Sequence, residues 1–368
     1  MPLVLDSLEI KNFRAFKHLR IEKLGRVNLI VGKNNVGKST VLEALWLYLV
    51  RGEPYHVNRL LYVRDELAEQ QTRPQIMDAQ EQVNVLGSLF HGHIDPRKPH
   101  EKIVIGSMTD VEDRVTIDVH WTSIQLNAVN EPIGVEAERQ NSFAAFYPHL
   151  SVGVGANPPL MFSLNMIHQG LYGLRPELSS GSDVQVTTSG LDSTHIGVFW
   201  DNVALSDLEH DVISALRIVA PHVEAVNLVG GRKQNGERIV KVRMQGGNTP
   251  VTLRSMGEGM NRMFGIALAL VNAKDGMLLI DEVDTGLHYS VLPDLWKLIF
   301  EVAHRLNVQV FATSHSWDCI EAFQSAAANN TEEEGVLVRL ENRKSGVGAV
   351  TFDEQELAIV TRGQIEVR

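Results

Sequence analysis

Cysteine is almost missing from this chain. Cys319 is the only one in 368 residues, so no intramolecular disulfide can form. That scarcity fits a reducing compartment, and a cytoplasmic protein is the expectation. Positive charge is also short: 34 Lys and Arg face 45 Asp and Glu, a formal net charge of −11. A protein wrapped in nucleic acid usually carries a basic face, and here any such face must be local. No run of about 18 apolar residues occurs, so no membrane span is expected. The opening MPLVLDSLEIKNF lacks the basic-then-apolar order of a signal peptide. There is no internal repeat, low-complexity tract or heptad run, which excludes a coiled-coil arm. What is present, 44% hydrophobic and 21% charged residues, is ordinary globular composition with ample material for a core.

Against that background Gly32–Thr40, GKNNVGKST, stands out. It fits G-x-x-x-x-G-K-[ST] with Gly32, Gly37, Lys38 and Ser39 in the fixed places. Successive backbone N–H groups in such a loop converge on a nucleotide's phosphates. Gly32, Asn34, Asn35, Gly37, Lys38, Ser39 and Thr40 are therefore the nucleotide-binding candidates. Lys38 should reach the β- and γ-phosphates of ATP, and the Ser39 hydroxyl should ligate Mg²⁺. The flanks agree: Val27–Val31 reads as a buried strand, and Val41–Val50 as a helix that stops at Gly52 and Pro54.

Ahead of the loop, Val4–Arg26 reads as two short strands around Asn12–Phe16 (NFRAF). It is the most basic part of the chain, either a solvated strand face or, at Arg14, a group near the phosphates. Beyond the loop, Arg64–Gln82 reads as a polar helix interrupted by Pro74. KIVIGSM and RVTIDVHW within Lys102–Trp121 read as strands. Asn130–Ser193 has little periodicity, and a loop that long in a compact domain is expected to hide short strands or to serve as a lid or partner surface. Leu205–Val219 reads as an amphipathic helix and Val223–Leu253 as a strand meander with glycine turns.

After Leu253 the chemistry returns. Ser255-Met256-Gly257-Glu258 precedes an apolar-faced helix over Gly259–Ala273. The strand Met277–Ile280 ends in Asp281-Glu282, and a carboxylate at the C-terminal end of a parallel strand sits beside a phosphate loop. Asp281 is placed to hold Mg²⁺, Glu282 to polarise the attacking water, and Asp284 to support the metal site from outside. The strand Val308–Ala312 leads directly to His315, which can hydrogen-bond the γ-phosphate or the water. An acidic loop alone would be unremarkable; together with a phosphate loop and a strand-end histidine it reads as catalytic.

In that order GKNNVGKST, RSMGE, LLIDEVDTGLH and FATSHS resemble the ABC-type ATPases, and NFRAF points to their RecF, SMC and OLD branch rather than to transporter subunits. The likeness covers about residues 1–51 and 250–325. It implies an α/β P-loop NTPase head with a mixed sheet, a helical lobe and an antiparallel β meander. The whole chain would be one head, its core lobe formed by about 1–51 and 250–368 and an intervening lobe by about 52–249. It also implies a homodimer in which two heads sandwich two nucleotides. Ser255, Gly257 and Glu258 would then be the signature that meets the partner's nucleotide, Glu282 the catalytic base, His315 the switch histidine, and Arg14 a neighbour of the bound nucleotide. Departures from the pattern are Arg254 and Met256, where leucine and glycine are usual, and His288, whose TGLH is similar to OLD-like ATPases. The class's Mg²⁺-sensing glutamine has no assigned counterpart; Gln82 and Gln125 are candidates, each weighed against a surface position.

Three functions follow: an ATP-driven dimeric switch controlling a separate effector, as in defence systems; a RecF-like DNA-repair ATPase that binds DNA itself; and a self-contained OLD-type nuclease. The stretch after His315 is shorter than the roughly 100 residues a nuclease domain of typical size needs, which disfavours the third. A transporter subunit is a weaker fourth.

Overall fold

The computed structural model describes residues 2–66, 77–126, 132–136, 146–165, 184–191, 193–230, 238–330, 335–344, 346–353, 356 and 359. At its centre is a six-stranded sheet in the order β16-β15-β3-β14-β13-β9. These strands are β3 (Val27–Val31), β9 (Val184–Val186), β13 (Met277–Ile280), β14 (Gln309–Thr313), β15 (Gly335–Arg343) and β16 (Gly346–Phe352). All neighbours are parallel except the β15–β16 hairpin. Every residue of β3, β13 and β14 is buried, as expected of parallel strands covered on both faces.

The two faces feed two cores, and strand alternation divides the residues between them. Val27, Leu29, Leu278, Ile280, Val310 and Ala312 join one cluster with Trp200, Phe264, Trp296 and Phe323. Ile30, Met277, Leu279 and Phe311 join the other, with Phe13, Phe16, Phe90 and Phe162. The first core is roofed by helices α4 (Ser193–Val203), α5 (Asp207–Val219), α6 (Glu258–Asn272), α7 (Leu292–Arg305) and α8 (Trp317–Asn329). The second lies under α1 (Lys38–Leu49), α2 (Pro54–Val63), α3 (Ala79–Gly87) and an antiparallel sheet.

That antiparallel sheet runs β2-β1-β4-β5-β7-β8, with β6 on β5. Its strands are β1 (Leu8–Phe13), β2 (Phe16–Ile21), β4 (Ile103–Gly106), β5 (Val115–Leu126), β6 (Pro132–Glu136), β7 (Phe146–Val154) and β8 (Leu160–Phe162). A third sheet, β10 (Val223–Gly230), β11 (Arg238–Met244) and β12 (Val251–Thr252), is the expected meander. The weakly periodic stretch thus does contain short strands. One of them, β9, lies at the edge of the central sheet, and β1 pairs with β4, so strand pairing crosses the expected boundaries near residues 51 and 250.

Two elements differ from expectation for local reasons. The helix after the phosphate loop starts at Lys38, inside the motif, because Gly37 adopts φ 106° and turns the chain into it. No single helix spans Arg64–Gln82. Helix α2 ends at Val63, residues 67–76 lie outside the described residues, and α3 starts only at Ala79. There Asp78 caps the Glu81 N–H and the Glu81 carboxylate accepts from the Asp78 N–H, a capping box that defines the start. Pro54, expected only as a stop, opens α2, where its missing N–H costs nothing.

Asn28, the one polar residue of β3, is fully buried and satisfied: its Oδ1 accepts from Gly25 N, and its Nδ2 donates to the Gly25 and Val310 carbonyls. Among the described residues no helix is long and apolar enough to cross a membrane.

Candidate functional site

The C-terminal ends of β3, β13 and β14 bring the site together. From β3 the chain enters the phosphate loop. Gly32 (φ 147°) could not carry a Cβ, which would lie 2.6 Å from the Leu340 carbonyl oxygen; at Gly37 it would lie 2.7 Å from the Phe16 ring. The loop is therefore pressed between β15 and the β1–β2 hairpin. Lys38 Nζ donates to the Gly32 and Lys33 carbonyls at 2.8 and 3.2 Å, folding its ammonium over the loop. Burial lowers the Lys38 pKa, while Glu282 and Asp281 act to raise it.

Ser39, in the first turn of α1, donates to Asp281 Oδ2 at 3.0 Å. Asp281 Oδ1 accepts from Thr313 Oγ1 at 2.6 Å, and the same Thr313 oxygen accepts the Glu282 N–H at 2.8 Å. One buried hydroxyl at the end of β14 thus holds both acidic residues at the end of β13. Glu282 is left-handed, φ 48°, a costly conformation for a non-glycine residue and one that concentrates at functional sites. Its Oε2 accepts from Thr285 Oγ1 at 3.0 Å, and its Oε1 lies 3.8 Å from His315 Nδ1. His315 is half-exposed, held where β14 ends and Ser316 caps α8. A hydroxyl and a carboxylate 3.0 Å apart beside a phosphate loop fit Mg²⁺, which takes one or two protein oxygens and fills its shell with water and phosphate. Asp284 Oδ1 is buried with no hydrogen-bond partner among the described residues, near Arg262 and Cys319. Burial pushes the Cys319 thiol up to about 12, so it is an inert core group.

The other sequence candidates are placed as follows. Asn34 and Asn35 lie in the exposed loop, Asn35 left-handed at φ 62°, and Thr40 is buried in α1. Arg14 sits in the hairpin turn that abuts Gly37. Its guanidinium is engaged by Glu66 at 2.7 Å and by Glu43 of α1 at 3.2 Å. Burial raises the Glu43 pKa despite Arg14 and Arg64. Ser255 lies exposed on a short 3₁₀ turn, Leu253–Met256, its Oγ donating to the Thr252 carbonyl. Gly257 (φ 104°) precedes α6, which no side chain caps, leaving the first N–H groups of α6 and of Glu258 available to an anion. Gln82 is no surface residue: it is fully buried in α3, with Nε2 on the Met77 carbonyl and Oε1 without a hydrogen-bond partner among the described residues. The side chain of Gln125 lies outside the described residues.

The sequence reading missed Thr313 and Arg262. Thr313 lies between the strand Val308–Ala312 and His315 and was given no role from sequence. Arg262 offered a signal that went unused, a lone arginine within the apolar face of α6.

This fold and site define a P-loop enzyme that hydrolyses nucleoside triphosphates. Comparison with known proteins agrees. Residues 4–107 match the family model "AAA ATPase domain", and residues 212–318 match "AAA domain, putative AbiEii toxin, Type IV TA system". An "ATP/GTP phosphatase" of Helicobacter pylori is 23% identical over 346 residues, 86% of this chain and 87% of that one. The DNA replication and repair protein RecF of Clostridioides difficile is 42% identical over 55 residues, 15% of each chain. An SMC head crystallised with the C-terminal winged-helix domain of ScpA shares the fold, with a TM-score of 0.52 and 13% identity over 96% of this chain and 98% of that one. The chain is an ATPase by these matches, resembling AAA ATPase domains and, over a short segment, RecF, and its fold is similar to that of an SMC head.

Proposed function

We propose that the chain is a cytoplasmic, ATP-hydrolysing dimeric switch that senses or clamps a target and controls a separate effector protein. The observation that supports the hydrolytic part of this reading is the joint hold of Thr313 on Asp281 and Glu282, opposite Ser39 and Lys38. On this reading Gly32, Asn34, Asn35, Gly37, Lys38, Ser39 and Thr40 hold the triphosphate, and Ser39 and Asp281 hold Mg²⁺. Mg²⁺ there would neutralise charge on the phosphate oxygens. Glu282, kept aimed by Thr285 and its left-handed backbone, orients the water and accepts its proton; His315 steadies the γ-phosphate side. Ser255, Gly257 and Glu258 of one head meet the γ-phosphate bound by the other, because the uncapped α6 N-terminus attracts an anion. Hydrolysis removes that bridge and lets the heads part. The core lobe would comprise about 1–51 and 250–368, and the middle would carry the target-sensing surface. Arg14 would join the nucleotide site only on release from Glu43 and Glu66. Direct DNA binding is the second reading, favoured by the RecF-like segment, and would show as an ATP-dependent affinity that falls steeply with salt.

The test is Glu282→Gln, nearly isosteric and uncharged. ATP binding should persist while turnover falls by about 10²–10⁴-fold, the usual worth of positioned acid–base help. Asp281→Asn should instead weaken Mg²⁺-dependent binding. Wild-type hydrolysis by Glu282→Gln would remove the base assignment.

A further inference from the structure

Arg262 is a buried charge outside the nucleotide site. It lies on α6, five residues after Gly257, and is 3% exposed. Among the described residues its guanidinium hydrogen-bonds to backbone carbonyls. Nη1 donates to the Thr187 carbonyl at 2.6 Å, and Nη2 donates to the Asp281 and Glu282 carbonyls at 2.6 and 2.8 Å. Those carbonyls lie just past the ends of β9 and β13, where the sheet ladder stops and the chain turns. Nε has no hydrogen-bond partner among the described residues. Burial works against the charge; Asp281, Asp284, Glu282 and Glu258 favour it.

We propose that Arg262 is a positioning residue that couples the Ser255–Glu258 turn to the Glu282 carboxylate. A helix is stiff over the roughly 7.5 Å between Gly257 and Arg262, so a displacement of the α6 N-terminus reaches the guanidinium undiminished. The guanidinium in turn grips the peptide carbonyl of Glu282, whose left-handed φ of 48° needs outside support to persist. Thr313 holds the Glu282 N–H and Arg262 its carbonyl, so the residue is pinned on both sides. Arrival of a γ-phosphate at α6 is thereby registered at the carboxylate that orients the water. Lysine can substitute only in part, because a point charge lacks the planar fork that reaches three carbonyls.

This rests on the reading of Glu282 as the base, and the experiment separates the two. Arg262→Met, Arg262→Lys and Glu282→Gln, singly and as Arg262→Met/Glu282→Gln, are measured for thermal midpoint, affinity for a slowly hydrolysed ATP analogue, KM and kcat. Arg262→Met should keep analogue affinity and KM within about threefold and lose roughly 10- to 100-fold in kcat, the cost of misplacing a catalytic group by about 1 Å. Arg262→Lys should fall between Met and wild type in kcat at unchanged affinity. In the Glu282→Gln background, Arg262→Met should cost less than about threefold more, because the group it positions is already disabled. Wild-type kcat in either single variant overturns the proposal. So does an equal loss of kcat and affinity, or the full Arg262→Met cost repeated in the Glu282→Gln background. If Arg262→Met does not fold, the Arg262→Lys split of kcat from KM decides. Wild-type turnover by Glu282→Gln alone instead strikes the base assignment.

Discussion

Lys38 shows how one side chain is poised between two sets of partners. Its ammonium now donates to two carbonyls of its own loop, neutral acceptors that a phosphate would replace with anionic oxygens. Lys38→Ala should therefore lose roughly 10- to 100-fold or more in ATP affinity. The thermal midpoint of the nucleotide-free protein should stay put, because the side chain supports no core. Calorimetric titration with ATP checks it, and near-normal affinity in a folded variant would remove the phosphate-loop assignment. At this scale the sequence was most legible where backbone conformation dictates residue type: Gly32 and Gly37 occupy φ values a side chain rarely adopts. It was least legible where a residue acts through tertiary partners. Nothing near Thr313 in the chain announces that its hydroxyl will serve both Asp281 and Glu282, and Arg14 looked free for phosphate until Glu43 and Glu66 came into view.

Among the elements, the α1–α2 corner carries a pH dependence. His56 of α2 packs edge-on against Trp46 of α1 and against Tyr55. Burial, together with the charges of Arg59 and His195, lowers its pKa from 6.5 to about 4 although Glu53 lies 3.3 Å away. The folded protein keeps this imidazole neutral down to about 4, whereas the unfolded chain protonates it near 6.5. Unfolding thus takes up a proton in that window. Stability from this group is complete above 6.5 and falls as pH drops to about 4. Glu53, raised by burial, titrates in the opposite sense, so the comparison belongs between wild type and His56→Gln at each pH. The thermal midpoint of His56→Gln should decline less between those limits; parallel curves would show that the imidazole is not held neutral. Elements with a strong period were readable, as α5, the β10–β12 meander and the strands β3, β13 and β14 show. The short strands between 130 and 193 were not, because three-residue segments such as β8 and β9 carry no period and exist through the neighbours they pair with.

For the molecule as a whole, the decisive question is what a second head does. Ser255 is exposed and its hydroxyl donates to the Thr252 carbonyl, so Ser255→Arg should leave the single head folded and able to bind ATP. In a Glu282→Gln background, ATP should raise the mass seen by light scattering to that of a dimer, and adding Ser255→Arg should abolish the rise. A dimer that forms equally well with arginine at 255 would place the contact elsewhere. The class of fold was legible because the phosphate loop and the strand-end carboxylates come in a fixed order. The layering was not, because it depends on pairings such as β1 with β4 that join distant parts of the chain. One of these joins has a mechanical side. Strand β9 holds the central sheet by three register pairs, and the Asp281 N–H and the Arg262 guanidinium grip the carbonyls of Val186 and Thr187 at its end. Tension applied to the chain before Val184 would load those few bonds first. A tug on the middle of the protein would thus be felt as slack beneath Asp281 and Glu282 well before the sheet itself gave way.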